Sequence, residues 1–179
     1  MQKLDEIILK RQSCRSYVTK SVAKEDIIKC LDAARLAPSA CNSQPWKFTV
    51  VTEPETKAKL SALLQIVGGN KFADAAPVLI AVSEDECPKL MPGVLERWSC
   101  KHFAHCDIGI AIAHFTLKAA ESGLATCIMG TFEDRDVKEL LEIPSGDTVR
   151  AVIALGYPSD DKIRDKNRKE LSEIVRFID

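Results

Sequence analysis

Arg11-Gln12-Ser13-Cys14-Arg15 places two guanidinium groups and a hydroxyl within five residues. A guanidinium is a planar fork of N–H donors that grips phosphate or carboxylate through paired hydrogen bonds, and Ser13 adds a donor. The same residues at the end of a helix have a second reading, as solvated basic side chains that offset the helix dipole. A second dense segment is Ala37-Pro38-Ser39-Ala40-Cys41-Asn42-Ser43-Gln44-Pro45-Trp46. Two prolines stiffen it, and its short side chains can present hydrogen bonds to a polar ligand or a heteroaromatic edge. An ordinary helix-to-strand turn has the same composition, because Pro, Asn and Ser are turn residues. A third segment, Cys100-Lys101-His102-Phe103-Ala104-His105-Cys106, carries two Cys and two His within seven residues. These are zinc and copper ligand types. On a helix only His102 with His105 or Cys106 would face together, so the expectation is a helix start at a pocket wall or interface and no metal site. Trp46 reads as a packing residue and Cys127 as a buried structural thiol. Trp98, Phe103 and Phe132 are candidates for lining a small-molecule pocket.

The elements that position these residues follow from periodicity. Leu4, Ile7 and Ile8 share a face of a first helix over residues 3–10. A second helix over 24–36 has Ile27, Leu31 and Ala34 on one stripe and must stop near Ala37, before Pro38. Strands are expected over 46–51, 78–82, 126–129 and 149–155. The run 78–82 is apolar throughout, as a strand buried on both faces would be. Thr52, Pro54 and Glu55 resemble a capping box opening a helix through Leu60, Leu63 and Leu64. Residues 84–99, with Pro88, Pro92 and Gly93, read as an irregular excursion. A long central helix over 100–122 stops at Gly123, and a polar helix covers 134–141.

With 179 residues, 46% apolar and 28% charged, the chain has the composition of one globular domain, placed at 1–158. Residues 159–179 form a charged arm with an apolar tip, which suggests docking on another subunit. The net charge of −1 gives no bulk attraction to nucleic acid or an acidic membrane. The first residues lack the apolar stretch of a signal peptide, and no apolar run reaches membrane-spanning length, so a cytoplasmic protein is expected. The seven cysteines form no C-x-x-C and read as free thiols.

Taken together, R-x-S-x-R at 11–15 and P-S-A-x-N-S-Q-P-W at 38–46 resemble the nitroreductase family of flavin oxidoreductases. Asp107-Ile108-Gly109-Ile110-Ala111 resembles the family's central helix, and Gly123-Leu124-Ala125-Thr126-Cys127-Ile128-Met129-Gly130 its G-L-G-T-C-x-x-G segment. Residues 152–158 resemble its closing strand and L-G-Y-P turn, and Lys166-Asn167-Arg168-Lys169 with Leu171 and Glu173-Ile174-Val175 its basic arm. Gln12 stands where a second basic residue is common, Cys41 where Gly or Thr is usual, Ala125 for a glycine and Glu170 for a proline.

The resemblance implies an α+β fold, with a central mixed, mainly antiparallel sheet of four strands flanked by helices. A fifth strand would come from the partner's C-terminal arm, exchanged between subunits of a homodimer. It implies FMN as cofactor. Arg11, Ser13, Lys166 and Arg168 would hold its phosphate, with Gln12 beside them, and Arg15 would lie near the pyrimidine end. Pro38, Ser39 and Asn42 would reach it from the partner. Ile128, Met129, Gly130 and Thr131 would also bind it, with backbone amides near Gly130 and Thr131 donating toward N5 and O4. The implied activity is a ping-pong transfer of electrons from NAD(P)H to a nitroaromatic or quinone, with no side chain as dedicated acid or base. Reductive dehalogenation, and flavin binding or redox sensing without catalysis, are the alternatives.

Overall fold

The computed structural model describes residues 4–178. The Lys3 start expected for the first helix and the last arm residue, Asp179, lie outside the described residues. Four strands, β1 (Trp46–Val51), β2 (Val78–Glu84), β3 (Ala125–Met129) and β4 (Thr148–Gly156), form one sheet in the order β1-β2-β4-β3. All three strand pairings are antiparallel. The mixed character expected of the sheet reduces, within one chain, to an isolated parallel bridge between Ser13 and Thr126. Every residue of β2 is buried, which accounts for its apolar run.

Helices α2 (Lys24–Arg35) and α5 (Ala104–Glu121) cover one face of the sheet. Ile27, Cys30 and Ala34 of α2 meet Ile108, Ile112 and Phe115 of α5 over Val78, Ile80 and Ile153. Helices α3 (Pro54–Leu63) and α6 (Asp134–Leu141) cover the other face, where Leu60, Leu64 and Val137 pack on Leu79, Val152 and Ala154. Two sheet faces each closed by a helix layer are a standard solution for a sheet apolar on both sides. Helix α1 (Leu4–Lys10) buries Ile7 and leaves Leu4, Ile8 and Leu9 exposed. One helical turn, α4 (Pro92–Leu95), interrupts the excursion between β2 and α5, and another, α7 (Leu171–Ile174), lies in the arm.

Two elements start elsewhere than their sequence suggests. The cap of α3 is Glu53, not Thr52: its carboxylate accepts from the amides of Glu55 and Thr56 at 2.9 and 2.6 Å. Pro54 takes the first helical position, so the residue directly before it is the cap. Those two amide bonds, Thr56's first, hold the Glu53 carboxyl below its usual pKa. Helix α5 begins at Ala104, after a turn in which the His102 amide bonds to the Ser99 carbonyl.

Asp134, at the start of α6, ties that helix to β4. It accepts from the Val149 amide at 2.7 Å and pairs with Lys138 at 2.7 Å. Burial pushes its pKa up, but Lys138 and the amide outweigh that and leave it lowered. A carboxylate with a depressed folded pKa stabilises the fold above its unfolded pKa, and loses that contribution as pH falls through the folded value. Thermal melts below about pH 4, where Asp titrates, should therefore converge for the native protein and an Asp134→Asn variant, with the native protein ahead at pH 7. Equal melting at pH 7 would show that the tie contributes nothing.

Candidate functional site

The strand order leaves β3 at the edge of the sheet, with one side free to take a partner. The chain leaving α1 takes up part of that edge: the Cys14 amide donates to the Thr126 carbonyl at 2.8 Å, and Ser13 bridges Thr126. Tyr17 anchors the segment, its hydroxyl donating to the carbonyls of Cys14 at 3.1 Å and Ala154 at 3.4 Å. Burial first, then Cys14 and Cys127, push the Tyr17 pKa far up, so it stays a neutral donor.

After β4 the chain returns over the same segment. The Ser159 amide donates to the Ser16 carbonyl at 3.1 Å, and Gln12 Nε2 to the Lys162 carbonyl at 2.7 Å. Gln12 Oε1 accepts from both the amide and Nε of Arg164, each at 3.1 Å, and Arg164 also donates to the Ser13 carbonyl. Lys166 Nζ donates to the Arg11 carbonyl at 2.7 Å. Gln12 thus clasps the arm to the R-x-S-x-R segment. This explains why a neutral amide, donor and acceptor at once, can stand where a cation is common.

Between these two stretches lies a cavity of about 650 Å³. Arg11, Gln12, Ser13, Arg15, Thr126 and Arg164 line it, with Asp160 and Asp161 on the arm side. The half-buried Lys166 has a lowered pKa, first through burial and then through Arg11, Arg168 and Arg164. Three arginines thus lie near enough to the Lys166 ammonium to add to the effect of burial on it. Among the ion pairs of the described residues, none includes Arg11, Arg15, Arg164, Lys166 or Arg168. Cations gathered outside ion pairs raise the local positive potential. Arg15 and Arg164 both also act on the Cys127 thiol, lowering its pKa somewhat. Burial dominates at Cys127 and raises its pKa, making it an inert core thiol.

Lys166 and Arg168 are not among the cavity's lining residues: Lys166 reaches its edge through the Arg11 carbonyl, and Arg168 is exposed, donating to the Asn167 carbonyl at 2.6 Å. The other predicted residues lie apart from the cavity within one chain. Ile128 is half-exposed on the outer part of β3 and Met129 is buried. Gly130 and Thr131 follow, exposed, where β3 ends. Asn70 reaches across to Thr131, donating from Nδ2 to Thr131 Oγ1 at 2.8 Å and to the Leu64 carbonyl at 3.0 Å. Pro38, Ser39 and Asn42 lie in the loop before β1, on a short helical turn at Ala40–Asn42. Cys41, Asn42 and Gln44 hold positive φ of 52°, 53° and 47°. Left-handed backbone outside glycine costs roughly 1–3 kcal/mol per residue and persists only where surroundings impose it. The Ser39 hydroxyl accepts from the Gln44 amide at 3.0 Å, and Asp107 accepts from the Ala40 amide at 3.1 Å. Asp107 is 6% exposed in the first turn of α5, so a buried carboxylate positions this exposed loop.

Sequence reasoning did not single out Arg164, Asn70 or Asp107 as site residues. Arg164 sits in a charge-rich stretch where no spacing distinguishes it. Asn70 follows Gly68-Gly69 and holds a positive φ of 55°, the one local signal that could have marked it. The Cys100–Cys106 segment is split between a turn and α5, and among the described residues no group of three or more His, Cys, Asp or Glu is placed to hold a metal. Trp98, His102 and Phe103 there form an aromatic cluster, with His102 edge-on to Phe103 at 4.7 Å.

An antiparallel four-stranded sheet covered by helices on both faces, with an arginine-lined cleft at its edge, defines an α+β protein. The chain belongs to the nitroreductase family, whose model matches residues 8–68 and 65–157. An Archaeoglobus fulgidus protein, whose name joins NADH dehydrogenase and NAD(P)H nitroreductase, is 32% identical over 166 residues, covering 90% of this chain and 89% of its own. The iodotyrosine deiodinase of Thermotoga neapolitana is 24% identical, covering 90% and 92%. The structure of an FMN-dependent nitroreductase from Clostridium difficile is 29% identical, with a TM-score of 0.78 over 97% of this chain and 98% of that one.

Proposed function

We propose that the cationic cleft holds the phosphate of FMN and that the protein is an FMN-dependent NAD(P)H oxidoreductase acting as a homodimer. The observation that carries this reading is the gathering of Arg11, Arg15 and Arg164 around one cavity, with Lys166 bonded to the Arg11 carbonyl at its edge. A phosphomonoester carries between one and two negative charges at neutral pH and offers three acceptor oxygens, which matches such a donor set. The name of the Clostridium difficile relative includes FMN dependence, and that of the Archaeoglobus relative includes NAD(P)H.

Arg11, Ser13, Lys166 and Arg168 bind the phosphate, and Gln12 and Arg164 hold the arm in place around it. Bound there, FMN supplies two-electron transfer between the nicotinamide and the acceptor. Arg15 sets a fixed positive charge beside the pyrimidine end and so favours the more negative, reduced state. Asn70 fixes Thr131, so the Gly130 and Thr131 amides keep a constant direction, with Ile128 and Met129 as the wall leading to them. Pro38, Ser39 and Asn42 complete the partner's site, with Asp107 keeping their loop in its strained shape. The exposed Leu4, Ile8, Leu9 and Leu36, with Phe177 and Ile178 at the arm's tip, supply apolar surface for the dimer. The reaction would follow a ping-pong order, with a small electron-poor acceptor of nitroaromatic or quinone type.

The test is purification without added cofactor, a spectrum, and anaerobic titration with NADH and with NADPH. A yellow protein, bleached by one nicotinamide and recoloured by a nitroaromatic or quinone, is the expected result. A protein that takes up no FMN even when it is supplied sinks the reading. The relationship to iodotyrosine deiodinase supports a second reading, reductive dehalogenation. Recolouring by a halotyrosine and not by nitroaromatics would favour it. FMN that binds but resists both nicotinamides would favour a carrier or sensor.

A further inference from the structure

None of the roles above uses Tyr17, although its hydroxyl ties the R-x-S-x-R segment to the sheet. The residue is 8% exposed and packs in the cluster that holds Cys127, Met129 and Ala154. A Cβ added at Gly156 would lie 2.9 Å from its ring, so β4 closes directly on it. Packing of that kind needs only the ring. The hydroxyl nevertheless reaches two carbonyls, that of Cys14 in the segment and that of Ala154 in β4.

These contacts bear on Arg15. The Cys14 amide is held by the Thr126 carbonyl at 2.8 Å, and the Cys14 carbonyl by Tyr17 at 3.1 Å. On the other side of Arg15, the Ser16 carbonyl takes the Ser159 amide at 3.1 Å, and the two serine hydroxyls meet at 2.8 Å. Arg15 stands between these fixed points and lines the cavity. It has no ion-pair partner among the described residues, so the backbone sets where its guanidinium starts from. In a trans peptide the C=O and N–H point opposite ways. With the Cys14 carbonyl turned onto Tyr17, the Arg15 amide must face away from the core cluster.

We propose that Tyr17 is a positioning residue for the redox balance of the bound flavin: its hydroxyl, by holding the Cys14 carbonyl, keeps the Arg15 charge in the cleft. The proposal rests on the FMN reading given above. Two electrons and one proton turn the neutral flavin ring into an anion, with the added charge at its pyrimidine end. A cation held there in advance favours that form, and one on a loosened backbone favours it less. Phenylalanine at this position would keep the packing and release the carbonyl.

The test compares the midpoint potential of bound FMN in the native chain, Tyr17→Phe, Arg15→Gln and the double variant. Loss of one neutral hydrogen bond should lower the ratio of reduced to oxidised FMN affinity by about three- to tenfold. For a two-electron couple that is a fall of about 15–30 mV. Arg15→Gln should shift the potential the same way. Adding Tyr17→Phe to Arg15→Gln should change nothing more, because the hydroxyl acts through that charge. In the flavin-free chain, the Cys14 amide should exchange its hydrogen faster in Tyr17→Phe than in the native protein. An unchanged potential in Tyr17→Phe with FMN bound would overturn the proposal alone. So would the same shift with and without Arg15, which would mark a merely structural role, and so would unchanged exchange at Cys14. A native protein that takes up no FMN would remove the flavin reading and the proposal together.

Discussion

Replacing Arg11 and Arg168 together by alanine is expected to weaken FMN binding by about 10²- to 10⁴-fold. Hydrogen bonds to charged groups contribute roughly 1.5–3 kcal/mol each, and each ~1.4 kcal/mol is a factor of ten in affinity. Two lost guanidinium contacts to one phosphate therefore sum to that range. The partners left behind, Lys166 and Arg164, keep the site cationic, so binding is weakened and not abolished. Two controls make the result specific. Riboflavin has no phosphate, so its affinity should change far less than that of FMN in the same variant. Arg11→Lys with Arg168→Lys keeps both charges but loses the planar forks, and should recover only part of the loss. Equilibrium dialysis or flavin fluorescence against apoprotein reads all of these. An FMN affinity equal to that of the native protein would remove the phosphate assignment. A parallel fall for riboflavin would mean that the arm had come loose, not that a phosphate contact had been lost.

The difference between what the chain shows as letters and what it shows when folded lies mainly in contacts between distant segments. The apolar runs of β2 and β4, the spacing of Ile108, Ile112 and Phe115, and the stops at Pro38 and Gly123 are local patterns, and each marked an element near its place. The order β1-β2-β4-β3 is not local, because β4 enters between β2 and β3 only once the chain has closed. The site divides in the same way. Arg11, Ser13 and Arg15 stand in a compact motif and are legible. Lys166 and Arg168 were singled out through the family resemblance alone, since nothing in a run such as Asp165-Lys166-Asn167-Arg168-Lys169 says which cation turns inward; Lys166 does, onto the Arg11 carbonyl, while Arg168 stays exposed. Arg164 is distinguished by its bonds to Gln12 and Ser13, more than a hundred positions away in sequence. Asp107 looks like an ordinary acidic residue in a first helical turn, and only the fold aims it at the Ala40 amide. The mistaken cap at Thr52 has a simpler cause: a favoured residue type one position too early drew attention from the carboxylate beside the proline.

A large stability effect is expected at Glu84, at the end of the sheet opposite the cationic cleft. Its side chain is fully buried, and Oε2 accepts from Arg150 Nε at 2.6 Å. Oε1 lies 3.9 Å from Lys101 Nζ and has no hydrogen-bond partner. One carboxylate thus offsets two cations that retain limited access to water, with side chains 28% and 30% exposed. Removing one member of a buried pair costs about 3–5 kcal/mol, because the other charge is left without compensation. Arg150 and Lys101 can still draw some solvent, which places Glu84→Ala near the lower end, about 3 kcal/mol. For a chain of this size that corresponds to a fall in Tm of roughly 6–12 °C. Glu84→Gln keeps an acceptor for Arg150 but no charge, and should lie between the two. Glu84→Met combined with Arg150→Met removes both charges and should recover much of the loss, since an apolar pair of similar volume often matches a buried ion pair. Such recovery would separate uncompensated charge from an empty cavity as the cause. If Glu84→Ala melts with the native protein, water already solvates this corner and the pair contributes nothing to the fold.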